Sequence, residues 1–143
     1  MTAKQYLQGY RKLECSYKSA IEEYKNVENE MISLKSPGFD ERVQTSPKKD
    51  PIGEIVIELE KQKAKLGINI IDYKSKMQLI RNQISELQSV DDDYYAILMF
   101  RYILYKDWKF ICNNMAMSRT KANEVHGYAL LEFDRRFNGK IQK

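Results

Sequence analysis

Proline and glycine are scarce, three and six in 143 residues. A sandwich or barrel built from many short strands needs turn residues far more often than that, so an all-β fold is excluded. Cysteine is nearly absent. Cys15 and Cys112 lie far apart in the chain and match no metal-ligand spacing, so they read as a reduced pair. The single histidine, His126, rules out a His-rich metal site and leaves little from which to build a nucleophilic triad. No apolar run approaches the roughly 20 residues that cross a bilayer. The opening Met1-Thr2-Ala3-Lys4-Gln5-Tyr6 lacks the apolar core of a secretory signal, and an intracellular protein with no membrane partner is expected. A strong charge of one sign is also missing: 24 Lys and Arg stand against 20 Asp and Glu, a net of +4. That permits a polyanionic partner without demanding one. What is present is 43% apolar and 31% charged residues, enough for a core and too apolar for a disordered chain.

The first segment, from about Thr2 to Lys35, contains no proline. Its apolar positions are Ala3, Tyr6, Tyr10, Leu13, Tyr17, Ala20, Tyr24, Val27, Met31 and Leu34. Steps of three and four alternate throughout, the heptad pattern of a long helix with one continuous seam. Four seam residues are tyrosines, whose hydroxyls need polar surroundings, so the seam is expected to be thin and open at its edges. Ser36-Pro37-Gly38 then stops the helix, and the polar stretch to Pro51 reads as a loop. A second helix is expected from about Ile52 to Ser89, with the seam Val56, Leu59, Lys63, Leu66, Ile70, Tyr73, Met77, Ile80, Ile84 and Leu87. Two heptad helices of matching length joined by breakers imply an antiparallel αα-hairpin, each arm about 50 Å long.

The second arm carries more apolar surface than one partner can cover. Ile57, Ala64, Ile68, Ile71 and Leu79 form an additional stripe away from the seam. Either these are scattered exposed aliphatics or they mark self-association, and a homodimer through the hairpin is the expectation taken forward.

After Val90 the rhythm changes. Asp91-Asp92-Asp93 suits a helix N-terminus, where carboxylates meet unpaired N–H groups. Three helical elements follow: about Asp92 to Tyr105; a short helix capped by Asp107; and, after a Met115-Ala116-Met117 turn, a helix capped by Ser118 from Arg119 to about Phe137. Trp108, Ile111, Cys112, Ala122, Val125, Ala129 and Phe133 supply a small core between the last two helices. The whole is all-α, with a hairpin domain over 1–90 and a helix-turn-helix domain over 91–143. Residues 94–143 hold nine Lys and Arg against four Asp and Glu, so the basicity is concentrated in this second part.

In that outline the start of the last helix faces the partner. Arg119 and Lys121 are the first candidates for DNA contact, with Thr120 and Asn123 able to bond a phosphate or base edge. Glu124 can accept from cytosine N4. Lys106 and Lys109 flank the start of the preceding helix, placed to hold phosphates. Ordinary solvated charge is the competing reading for each. Tyr128, Arg135 and Arg136 are assigned either to the DNA backbone or to packing on the hairpin. His126 reads as a structural, hydrogen-bonded imidazole and Trp108 as core. No catalytic residue, metal ligand or cofactor is expected: there is no glycine-rich phosphate loop and no partnered nucleophile.

Leu98-Met99-Phe100-Arg101-Tyr102-Ile103-Leu104, Trp108-Lys109-Phe110-Ile111-Cys112, Ser118-Arg119 and Val125-His126-Gly127-Tyr128-Ala129-Leu130 resemble sigma-70 region 4. More closely, the chain is similar to the ArpU/RinA-type phage transcriptional regulators built on that module. The likeness extends to the opening Thr2-Ala3-Lys4 with Tyr6-Leu7, the long charged helix, and the Ser36-Pro37 to Arg42-Val43-Gln44-Thr45-Ser46 loop. The chain departs from the family's pattern at Phe110 and Cys112, usually Glu and Ala, at Ala116, usually the turn glycine, and at Ala122, usually a larger aliphatic. The resemblance implies sequence-specific binding of double-stranded DNA in control of phage or prophage genes, late genes above all, inside the bacterial host cytoplasm. Two other readings stay open on the residues. One is a DNA-packaging accessory such as a small terminase subunit. The other is a coiled-coil adaptor whose C-terminal bundle binds protein, host RNA polymerase for instance, without touching DNA.

Overall fold

The computed structural model describes residues 1–35 and 51–141. The described residues form five α-helices and no strand: α1 (Ala3–Leu34), α2 (Pro51–Glu86), α3 (Asp92–Leu98), α4 (Trp108–Met115) and α5 (Arg119–Ile141). A 3₁₀ turn, Leu87–Ser89, follows α2, and a π turn, Met99–Ile103, continues α3. The fold is all-α, as the periodicity implies. The breakers Ser36-Pro37-Gly38 and the loop that follows them lie outside the described residues.

Short polar residues start these helices. Thr2 Oγ1 accepts from the Gln5 N–H at 3.2 Å while Gln5 Oε1 accepts from the Thr2 N–H at 3.0 Å, a reciprocal capping box. Pro51 opens α2, where its missing N–H costs nothing. Asp91 accepts from the Asp93 N–H at 2.8 Å, Asp107 from Phe110 at 2.8 Å, and Ser118 from Lys121 at 3.1 Å. All three caps stand where the sequence reading put them.

The chain divides into two compact units, Met1–Glu14 with Ser75–Lys143, and Cys15–Lys74. The boundary expected at residue 90 therefore moves, because the ends of both long helices join the C-terminal helices. Leu7, Tyr10, Ile80, Ile84 and Leu87 belong to one buried core with Ile97, Leu98, Tyr102, Ile103, Ile111, Ala122, Val125, Ala129 and Phe133. The three C-terminal helices have more apolar surface than they can cover themselves, and this is what covers it.

In the Cys15–Lys74 unit, Val27, Met31 and Leu59 are buried together, with Leu34, Val56 and Leu66 against them. Tyr24 lies opposite Gly67 and Lys63. Lys63, the one polar residue in its seam, holds its ammonium 5.3 Å from the centre of the Tyr24 ring. On the other side of α2, Ile57, Ile68 and Ile71 are 54%, 69% and 68% exposed.

In the other unit, Tyr6 donates its hydroxyl to Gln83 Oε1 at 2.7 Å and Arg81 donates Nε–H to the Tyr10 hydroxyl at 2.8 Å. The helix expected to run to Tyr105 gives way after Leu98. Widening to a π turn keeps Ile97 and Leu98 on the same face as Tyr102 and Ile103, five residues on, and all four are buried. An α-helix would rotate the second pair well away from the first. Tyr105 then ends the run with φ at 56°, in the left-handed region.

Candidate nucleic-acid interface

Helices α4 and α5 are joined by a tight turn. Ala116 caps α4 with φ 52° and ψ 48°, its N–H bonded to the Cys112 carbonyl, and the Met117 N–H reaches the same carbonyl at 3.0 Å. The turn occupies a position where glycine has no Cβ to accommodate; here alanine carries the left-handed conformation. Beyond it, α5 turns Ala122, Val125, Ala129, Phe133 and Phe137 into the core at helical spacing.

The opposite face begins with the candidate residues. Arg119, Thr120, Lys121, Asn123 and Glu124 are all exposed on the first turns of α5, and Gly127 and Tyr128 continue that exposed side. Arg119 is not free to wander, since its guanidinium carbon lies 4.8 Å from the centre of the Trp108 ring. A cation at a helix N-terminus is unfavourable for the dipole, and the ring face offsets part of that cost. Lys106 is half-buried with its ammonium 4.9 Å from the Phe110 ring, whereas Lys109 is exposed on the first turn of α4.

Trp108 is only half-buried, which corrects its assignment to the core. Its ring packs against the core and at the same time meets two guanidinium groups, Arg119 and, at 5.1 Å, Arg101. Arg101 was not among the candidates. It sits in the π turn, donates to the Lys106 carbonyl at 3.2 Å, and so carries positive charge to the Trp108 neighbourhood from another element.

His126 lies inside this framework. Its Nε2 is 2.7 Å from the Tyr102 hydroxyl, and the Trp108 ring meets it edge-on at 5.1 Å. Burial pushes its pKa down to about 4, and the Lys4 and Arg101 charges act in the same direction. The ring is therefore neutral at physiological pH. Arg136 donates to the Glu86 carbonyl at 3.0 Å, which places it in packing against the end of α2, and Arg135 pairs with Glu132 on its own helix. Tyr128 is 57% exposed.

Among the described residues no group of three or more His, Cys, Asp or Glu side chains gathers as a metal site, and no helix is long and apolar enough to cross a membrane. Comparison with protein-family models, curated proteins and solved structures gave no match.

Proposed function

We propose that the protein is a sequence-specific DNA-binding regulator of the phage or prophage type, in which α5 reads the major groove. One observation carries this reading: Arg119, Thr120, Lys121, Asn123 and Glu124 form an exposed polar and basic surface on the first turns of α5, directly opposite its buried face, with Arg119 steadied on Trp108. A helix docked by its N-terminal turns brings such side chains to base edges while cations beside it hold phosphates. The likeness to sigma-70 region 4 and to ArpU/RinA-type regulators supports the same reading. Lys106 and Lys109 are assigned to backbone phosphates.

The exposed isoleucines of α2 support self-association through that helix. A dimer of this kind presents two reading helices and favours a two-part site of fixed spacing.

The test is selection from a random double-stranded DNA library, followed by fluorescence anisotropy of the enriched sequence across a salt series. Wild type is expected to enrich one motif and to lose affinity steeply with salt. Arg119→Ala/Lys121→Ala is expected to lose the enrichment and at least about tenfold in affinity, with an unchanged far-UV spectrum. If both proteins bind the library alike, without enrichment, the reading fails, and the protein-binding adaptor takes its place.

A further inference from the structure

A second cationic feature joins α1 to the π turn. Gln8 and Arg11 of α1, with Arg101, Tyr102 and Tyr105, line a cleft of about 330 Å³. Its two guanidinium groups have no carboxylate partner among the described residues. Arg11 rests over the Tyr105 ring, 5.2 Å from its centre, and Arg101 is fixed by the Trp108 ring and the Lys106 carbonyl. Both are held by groups that leave most of their N–H donors unused. Glu14 accepts the Tyr105 hydroxyl at 2.6 Å. That bond holds Tyr105 at the cleft, and the Gln8 amide adds a further donor to the lining.

The backbone around the cleft is irregular at two points. Arg101 and Tyr102 lie in the π turn, and Tyr105, a bulky residue, holds φ at 56°. Such departures are uncommon and gather where side chains must be aimed at something. Here the π turn presents Arg101 beside the buried Tyr102, and the left-handed Tyr105 sets its ring against Arg11. Two planar guanidinium forks and an amide converging on one space form a site for a doubly charged oxyanion with several acceptor oxygens.

We propose that this cleft binds a phosphate group, through Arg11 and Arg101 with Gln8 as a neutral donor. The phosphate comes either from a small phosphorylated molecule or from a DNA backbone, and the two sources behave differently in the same experiment. Because the first arm uses the protein without DNA, its failure is separate from failure of the DNA-binding reading.

The probe is pyrophosphate, titrated into the full chain in chloride buffer, with the arginine Nε–H resonances followed by NMR. Saturable shifts are expected at the Arg11 and Arg101 signals. Arg11→Gln is expected to weaken binding at least about tenfold, Gln8→Ala several-fold, and Lys121→Ala not at all. Arg11 is exposed and rests over the Tyr105 ring, so its replacement spares the core, and an unchanged His126 resonance checks that the neighbouring packing persists. Absence of saturable shifts, or equal affinity in wild type and Arg11→Gln, overturns the proposal. With an enriched DNA bound, loss of the pyrophosphate response together with a salt slope about one unit shallower in Arg11→Gln identifies the backbone phosphate as occupant. Independent binding of the two identifies a small phosphorylated ligand.

Discussion

The Tyr102 hydroxyl lies 2.7 Å from Nε2 of His126, and the two rings stack with their centres 5.7 Å apart. Each partner disfavours its own ionised form in this setting: burial lifts the Tyr102 pKa to about 12 and lowers that of His126 to about 4. The pair is thus neutral on both sides over the whole physiological range. It joins the π turn to the middle of α5, and so it fixes where the exposed face of α5 points.

From this follows a pH dependence with a definite direction. The unfolded histidine protonates near 6.5 and the folded one near 4, so between these values the unfolded chain binds more protons and stability falls as pH drops. The ring is half-buried, and solvent screening reduces the effect to about 1–2 kcal/mol. His126 is the only histidine in the chain, so its Cε1–H signal is a single NMR peak whose titration reads the value directly. His126→Gln is expected to remove that part of the acid-side loss, measured as the difference between wild-type and variant urea midpoints from pH 7 to 4. A free histidine titrating near 6.5 would contradict the assignment.

Gln83 presents a different problem. It is 2% exposed, its Oε1 accepts from Tyr6, and its Nε2 has no partner. A buried donor left unpaired costs about 1–3 kcal/mol. Gln83→Met removes that penalty but strands the Tyr6 hydroxyl, whereas Tyr6→Phe strands the Gln83 carbonyl as well. The double variant Tyr6→Phe/Gln83→Met is therefore expected to be at least as stable as wild type and about 1 kcal/mol more stable than the Tyr6→Phe single. Urea unfolding of the four proteins in a double-mutant cycle measures this. A double variant less stable than wild type would show that the hydrogen bond outweighs the orphan donor.

The legible part of this fold is the part with a period. The seams of α1 and α2 follow the apolar three-four steps, and even Lys63, which breaks the rule, stays in register by lying on Tyr24. The caps at Asp91, Asp107 and Ser118 were readable because a cap is a local contact between neighbours in sequence. Leu7 was missed although it is fully buried. A two-position seam describes one partner helix, and Leu7 shares a core with C-terminal residues instead. For the same reason the domain boundary was not readable. The convergence of Gln8 and Arg11 with Arg101 and Tyr105 spans about ninety residues and depends on a π turn, for which the sequence carries no periodic signal. The exposure of Arg119, Thr120, Lys121, Asn123 and Glu124 was legible from the helical spacing of Ala122, Val125 and Ala129 between and after them.

Ala116 carries a left-handed conformation that disfavours a Cβ. A non-glycine residue there costs about 1–2 kcal/mol, partly offset by the greater freedom glycine gives the unfolded chain. Ala116→Gly is expected to raise stability by about 0.5–1 kcal/mol, read as a higher urea midpoint with the same slope. Ala122, fully buried a few residues on, behaves in the opposite way. Ala122→Leu overfills a closed site and is expected to lower stability by about 1–3 kcal/mol. If Ala116→Gly is destabilising, the turn is held by contacts of the Ala116 methyl rather than tolerated in spite of it.

Ile57, Ala64, Ile68 and Ile71 recur at heptad-compatible steps on the side of α2 away from Val56, Leu59 and Leu66. The two isoleucines at 68 and 71 are each more than two-thirds exposed, so their side chains add little to the fold of a single chain. Ile68→Lys/Ile71→Lys is therefore expected to keep the helical far-UV spectrum while changing the assembly state. Wild type is expected to sediment as a dimer, with a Tm that rises with protein concentration because association draws on the folded state alone. The double variant is expected to sediment as a monomer, with a concentration-independent Tm. Its affinity for an enriched two-part DNA site should fall more than its affinity for a half-site, since paired reading helices are lost while each remains intact. A wild-type protein that sediments as a monomer at every concentration would overturn the dimer and leave the isoleucines as isolated exposed aliphatics.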